Sequence, residues 1–230
     1  MSRPTKPLLM LAWGAASLLP ASATSASEPP RQICDSLVGT HDGFFFTFWK
    51  DGGDACVTLG AAGSYSTRYD LPGRKNLVVG KGWRTGSLTR KFGYHATRFE
   101  PGSISYLALY GWSVDPLIEY YVVDNWGVGF KPPGHNSPVL GTVKTYGGTY
   151  EIYRTERVNQ PSILGTQTFQ QYWSVRTQKR SIGAPATITF ANHVAAWSKL
   201  GMKLGEMDYQ VLATEGYDSK GASEVTVWER

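Results

Sequence analysis

Two glutamates, Glu119 and Glu215, are the residues of this 230-residue sequence best suited to carry chemistry. Most of its 18 acidic residues, such as Asp51, Asp54, Asp70, Glu100, Asp208 and Asp218, sit in turns or at strand ends, where a solvated charge is ordinary. Glu119 instead lies inside Pro116-Leu117-Ile118-Glu119-Tyr120-Tyr121-Val122-Val123. Glu215 follows Tyr209-Gln210-Val211-Leu212-Ala213-Thr214 and precedes Gly216-Tyr217. A carboxylate in the middle of an apolar strand is costly unless it is paired or used. Ion pairs with Arg157 or Arg176 would give either glutamate a structural role. Facing each other across a sugar groove, the two would instead form the carboxyl pair of a glycosidase. One would attack the anomeric carbon. The other would protonate the leaving oxygen and later deprotonate water, which needs the two pKa values pushed apart. Metal chemistry has no comparable support. Two cysteines and four scattered histidines (His41, His95, His135, His193) show no ligand spacing, so neither a metal nor a cofactor is expected.

The elements that must hold these carboxyls are strands. Period-two alternation recurs past residue 40. In Ser103–Trp112, Tyr106, Ala108, Tyr110 and Trp112 point one way, and Ser105, Leu107 and Leu109 the other. In Leu117–Asp124, Leu117, Glu119, Tyr121 and Val123 share a face opposite Ile118, Tyr120 and Val122. Similar runs fit strands near 42–49, 54–59, 63–70, 92–100, 149–158, 168–177, 206–214 and 222–229, separated by breakers such as Pro72-Gly73, Pro101-Gly102 and Gly147-Gly148. Many strands with short turns imply a β-sandwich or barrel. One helix is expected where Phe190, Val194, Trp197 and Gly201 fall at helical spacing, with Thr189 as N-cap, packed on the outside of a sheet. Several strands are aliphatic on one face and aromatic on the other. Buried tyrosine hydroxyls and a buried glutamate would be costly, so the aromatic face is expected to line a wet groove suited to a polysaccharide.

Composition agrees with an exported β-protein. There are 26 Gly and 9 Phe, 8 Trp and 13 Tyr, with 18% charged residues. Arg3 and Lys6, the apolar run Leu8–Leu19 and the small residues near Ala21-Ser22-Ala23 read as a signal peptide, cleaved after Ala23 or Ala26. The apolar run is too short to span a bilayer, and no membrane association is expected. Loss of Arg3 and Lys6 would reduce the formal charge from +5 to +3, too mild to argue for nucleic acid. Residues 24–41 read as an N-terminal extension and 42–230 as a single domain, expected to be monomeric. The even cysteine count in an exported chain suggests a Cys34–Cys56 disulfide, which would stabilise by about 3 kcal/mol; two free buried thiols are the alternative.

Six motifs resemble family 11 glycoside hydrolases, in that family's order: Asn76-Leu77-Val78-Val79-Gly80-Lys81-Gly82-Trp83, Tyr110-Gly111-Trp112, the Pro116–Val123 run, Gln160-Pro161-Ser162-Ile163, Gln171-Tyr172-Trp173-Ser174-Val175-Arg176 and Thr214-Glu215-Gly216-Tyr217. The resemblance spans about Asp42 to Trp228. It implies an all-β jelly roll of two strongly curved antiparallel sheets with one outer helix, and a secreted endo-β-1,4-xylanase acting on xylan with retention. Glu119 would be the nucleophile and Glu215 the general acid/base. Tyr110 would hydrogen-bond the nucleophile and the sugar, and Tyr121 the acid/base or the adjacent sugar. Asn76 would sit beside the acid/base, an arrangement that goes with a near-neutral optimum. Pro161, Ser162 and Ile163 would form the tip of a thumb loop over the groove. Gln171 and Trp173 would line it, Trp49 would stack a sugar, and Arg157 and Tyr106 would supply hydrogen bonds. A non-catalytic carbohydrate-binding sandwich and a glucanase on a related fold are the competing readings. The cysteine pair is not a general feature of the family, and Asp35–Thr40 matches nothing in it.

Overall fold

A computed structural model describes residues 27–230; the signal peptide read from residues 1–23 lies outside the described residues. Fifteen strands form two sheets. Strands β1 (Arg31–Ile33), β4 (Asp54–Leu59), β5 (Ser64–Asp70), β7 (Lys91–Glu100), β13 (Ala186–Thr189) and β15 (Lys220–Glu229) build a six-stranded sheet in the order β1-β4-β5-β15-β7-β13. The larger sheet holds β2 (Leu37–His41), β3 (Phe44–Lys50), β6 (Asn76–Trp83), β8 (Ser105–Val114), β9 (Ile118–Trp126), β10 (Gly141–Thr145), β11 (Gly148–Ser162), β12 (Gly165–Arg176) and β14 (Glu206–Tyr217). Its order is β10-β11-β12-β9-β8-β14-β6-β3-β2. This is the all-β jelly roll that the family resemblance implies, with one qualification: β12 and β9 run parallel, all other pairs antiparallel. The parallel pair arises because the β10–β11 excursion returns β12 to the edge of β9 in the same direction.

Alternation fixes which side chains face where. Leu107, Leu109, Ile118, Tyr120, Val122 and Leu212 join Phe92, Tyr94 and Val225 of the smaller sheet in the core between the layers. The opposite face of the larger sheet carries Tyr106, Tyr110, Trp112, Tyr121, Trp173 and Tyr209. The helix α1 (Phe190–Lys199) buries Phe190, His193 and Trp197. Phe190 and Trp197 meet Tyr120, Trp197 meets Tyr172, and His193 meets Tyr150. It therefore packs on the face of the large sheet away from the aromatic side. Thr189 stands at the N-cap position but makes no side-chain cap, its Oγ1 being buried without a partner. Gly201 lies past the helix at φ 73°, a left-handed turn that stops it.

The segment read as an N-terminal extension contributes to both layers: β1 pairs with β4 in one sheet and β2 with β3 in the other. Cys34 lies between those strands and is disulfide-bonded to Cys56 on β4. Strands β1, β2, β6, β10 and β13 were absent from the alternation pattern. Four of them are only three to five residues long, and β6 carries two glycines within its eight residues.

Candidate active site

The aromatic face of the large sheet forms a cleft of about 920 Å3. Each site residue singled out from the sequence lines it: Trp49 on β3, Asn76 on β6, Tyr106 and Tyr110 on β8, Glu119 and Tyr121 on β9, Arg157, Pro161 and Ser162 on β11, Ile163 at the hairpin tip, Gln171 and Trp173 on β12, and Glu215 on β14. The thumb is the β11–β12 hairpin, closed by Ile163-Leu164 with Ser162 opposite Gly165. Register explains how the strands deliver these groups. Tyr110 stands opposite Tyr121, and Gln171 opposite Glu119. Cross-strand neighbours on one face are close enough for side chains to meet.

The two carboxyls are held differently. Glu119 is buried and accepts hydrogen bonds from the Tyr110 hydroxyl at 2.7 Å and the Gln171 amide at 2.6 Å. Burial raises its pKa, while the donors Tyr110, Gln171 and Tyr121 and the charge of Arg157 pull it back towards the ionised form. Glu215 is partly open to the cleft, yet its Oε2 is buried and has no hydrogen-bond partner of good geometry. Burial, and then the charge of Glu119, push its pKa up to about 8, with Tyr121, Arg157 and Asn76 opposing weakly. The arrangement favours one carboxylate and one carboxylic acid in the same cleft near neutral pH. Tyr110 and Tyr121 remain protonated donors, because burial and the charge of Glu119 drive both well above the usual phenol value. Neither glutamate is ion-paired among the described residues. Arg157 hydrogen-bonds Gln160 Oε1, and Arg176 bonds only carbonyls and the Tyr150 hydroxyl, so the structural salt-bridge reading fails.

The model of glycosyl hydrolases family 11 matches residues 41–226. The chain belongs to that family. It is 50% identical to ethylene-inducing xylanase 1 of Botryotinia fuckeliana, over 86% of this chain and 67% of the relative. It is also 50% identical to endo-1,4-beta-xylanase 4 of Pyricularia oryzae, over 84% of this chain and 80% of that protein. Identity to the ethylene-inducing xylanase of Penicillium digitatum is 44%, over 93% of this chain and 95% of the relative.

The family 11 hydrolase also has cleft residues that motif reading did not assign. Trp112 Nε1 donates to the Tyr110 hydroxyl at 2.8 Å, which fixes the oxygen that holds Glu119. The intervening Gly111 is required by packing, since a side chain there would collide with the Tyr120 hydroxyl and the Tyr209 carbonyl. Thr155 accepts from Trp173 Nε1 at 2.9 Å and donates to Gln171 Oε1 at 2.9 Å, aiming the amide nitrogen of Gln171 at Glu119. Trp173 is stacked on Tyr121 with centroids 3.9 Å apart and planes 6° from parallel. Asp51, expected as a surface charge, lines the cleft and accepts the backbone N–H of Asn76 at 2.7 Å. Trp112 stood on the predicted aromatic face, so that face was its signal. Thr155 offered none, because its role exists only through the β11–β12 register.

Proposed function

We propose that this protein is an exported endo-β-1,4-xylanase that cleaves internal xylan linkages with retention, Glu119 acting as nucleophile and Glu215 as general acid/base. One observation carries the assignment: two carboxyls line one aromatic cleft, of which Glu119 has two short hydrogen bonds favouring its charge and Glu215 has a partnerless oxygen. The names of the matched relatives supply the substrate class. Membership in a hydrolase family leaves the non-catalytic sandwich without support.

In the first step the Glu119 carboxylate bonds to the anomeric carbon as the glycosidic C–O bond breaks. The proton of Glu215 goes to the departing oxygen. Tyr110 and Gln171 hold Glu119 in the attacking rotamer. Forming the ester removes the charge of Glu119, which is the second cause of the raised Glu215 pKa. Glu215 then becomes a carboxylate able to take a proton from water, whose oxygen displaces Glu119 and restores the starting state. Trp49, half-buried in the cleft, offers a flat face to a sugar ring, and Arg157 a cation near Glu119.

Reducing-sugar release from xylan and from carboxymethyl-cellulose tests the reading, with Glu119→Gln as control. Activity on xylan that disappears in the variant is the expected result. Equal activity on both polymers would favour the glucanase, and activity persisting in Glu119→Gln would remove Glu119 as nucleophile.

A further inference from the structure

Away from the cleft, a second pocket of about 370 Å3 opens where β12 ends and the chain turns towards β13, lined by Arg176, Lys179, Arg180, Ser181 and Pro185 among others. Its charge is unbalanced. Arg176 is only 9% exposed, and its guanidinium donates to the Gln178 carbonyl at 3.0 Å, the Tyr150 hydroxyl at 3.4 Å and the Gly147 carbonyl at 3.4 Å. None of these acceptors is charged, and two of its five N–H groups stay uncommitted. The guanidinium also packs directly against Gly148, where a side chain would collide with it. Arg180 Nε pairs with Asp124 at 2.7 Å, but Asp124 already accepts from the Tyr94 and Tyr150 hydroxyls, each at 2.5 Å. Lys179 Nζ, above the Trp126 ring, reaches only the Gly127 carbonyl, at 3.1 Å, among the described residues. Three cations thus line the pocket against one carboxylate, Asp124, which pairs with Arg180 and leaves Arg176 and Lys179 with neutral acceptors.

A buried guanidinium surrounded by neutral acceptors is incompletely compensated, and the planar fork of arginine is matched by an oxyanion. We propose that this pocket binds a small oxyanion, a phosphate or a carboxylate, between the guanidinium groups of Arg176 and Arg180, with Lys179 and the Ser181 hydroxyl at its mouth. Bound there, the ligand ties the β10–β11 turn, through Arg176 and Gly147, to the segment that leads into β13 and α1. A free phosphate and the carboxylate of an acidic sugar are two sources of the same chemistry.

Amide chemical shifts of the intact protein, titrated with sodium phosphate and separately with sodium glucuronate, test this against sodium chloride of matched ionic strength. Saturable shifts centred on residues 176–181 are expected. Lys179→Ala and Ser181→Ala, both at exposed positions, should weaken binding, Lys179→Ala by about tenfold. Arg176→Gln, if it folds, should abolish it. A response to both anions supports a general oxyanion site, and a response to one supports that anion as the source. No response beyond chloride, or shifts that survive unchanged in Lys179→Ala and Ser181→Ala, overturns the proposal. Catalysis enters none of these readouts, so failure here leaves the cleft assignment untouched.

Discussion

Replacing Glu215 by Gln should alter how folding stability depends on pH, and the size follows from the site. The native pKa of about 8 lies above the ordinary 4.5, because burial and Glu119 both disfavour the charge. Between those values the folded chain binds more protons than the unfolded one. The stability contributed by the protonated form is therefore fully present below pH 4.5 and is lost as pH rises through about 8. At about 1.36 kcal/mol per pKa unit the ceiling is about 5 kcal/mol. Because Glu215 keeps an open edge on a wet cleft, roughly half of that, about 2 kcal/mol, is a realistic expectation. The amide of the Glu215→Gln variant has no such proton to lose. Urea unfolding of both proteins at several pH values and fixed ionic strength gives the difference directly, with the remaining titrating groups largely cancelling. The wild type should lose about 2 kcal/mol relative to Glu215→Gln between about pH 4.5 and 8.5. Parallel stability curves would show that Glu215 titrates normally and would refute the electrostatic reasoning.

Other outcomes follow from the same geometry. Glu119→Gln should abolish xylan hydrolysis while leaving the far-UV spectrum intact, and should lower the Glu215 pKa measured by carboxyl 13C NMR; an unmoved value would mean that the two groups do not interact. Glu215→Ala should lose most activity on xylan yet still be glycosylated by aryl xylosides with good leaving groups, whereas equal loss on both would contradict the acid role. Anomer analysis of the first products by NMR should show retention, and inversion would exclude a glycosyl ester on Glu119. Asp124→Asn should destabilise by about 3–5 kcal/mol, because it strips Arg180 of its only carboxylate among the described residues; a loss under about 1 kcal/mol in urea unfolding would show that Arg180 finds water instead.

Sequence reading reached the site before the structure did because strands translate sequence into faces directly. Once Tyr106, Tyr110 and Trp112 were placed on one side of β8, and Glu119 and Tyr121 on the same side of β9, the cleft followed. Features that depend on pairing were out of reach. Asp124 closes the Leu117–Asp124 run, and an irregularity in the β8–β9 register, where Leu107 meets Asn125 and Ala108 meets Val123, leaves it unpaired in the ladder and fully buried. Lys81, read as part of a motif, lies with its ammonium against the Gly60 and Ala62 carbonyls, on the side away from the cleft. Its strand carries Asn76 and Val78 to the cleft and Leu77 and Val79 to the core, so alternation could have placed it.

Strand β14 lies between β8 and β6, bonded along its length to both. The centre of the large sheet is thus filled by residues 206–217, which leave the ribosome after every other strand of that sheet and long after the two partners they join. A nascent or truncated chain that stops before Glu206 lacks more than one carboxyl. It presents two open strand edges where its middle should be, a hazard for self-association. The large sheet is therefore closed by a late segment of the chain, and the small sheet later still, when β15 enters between β5 and β7.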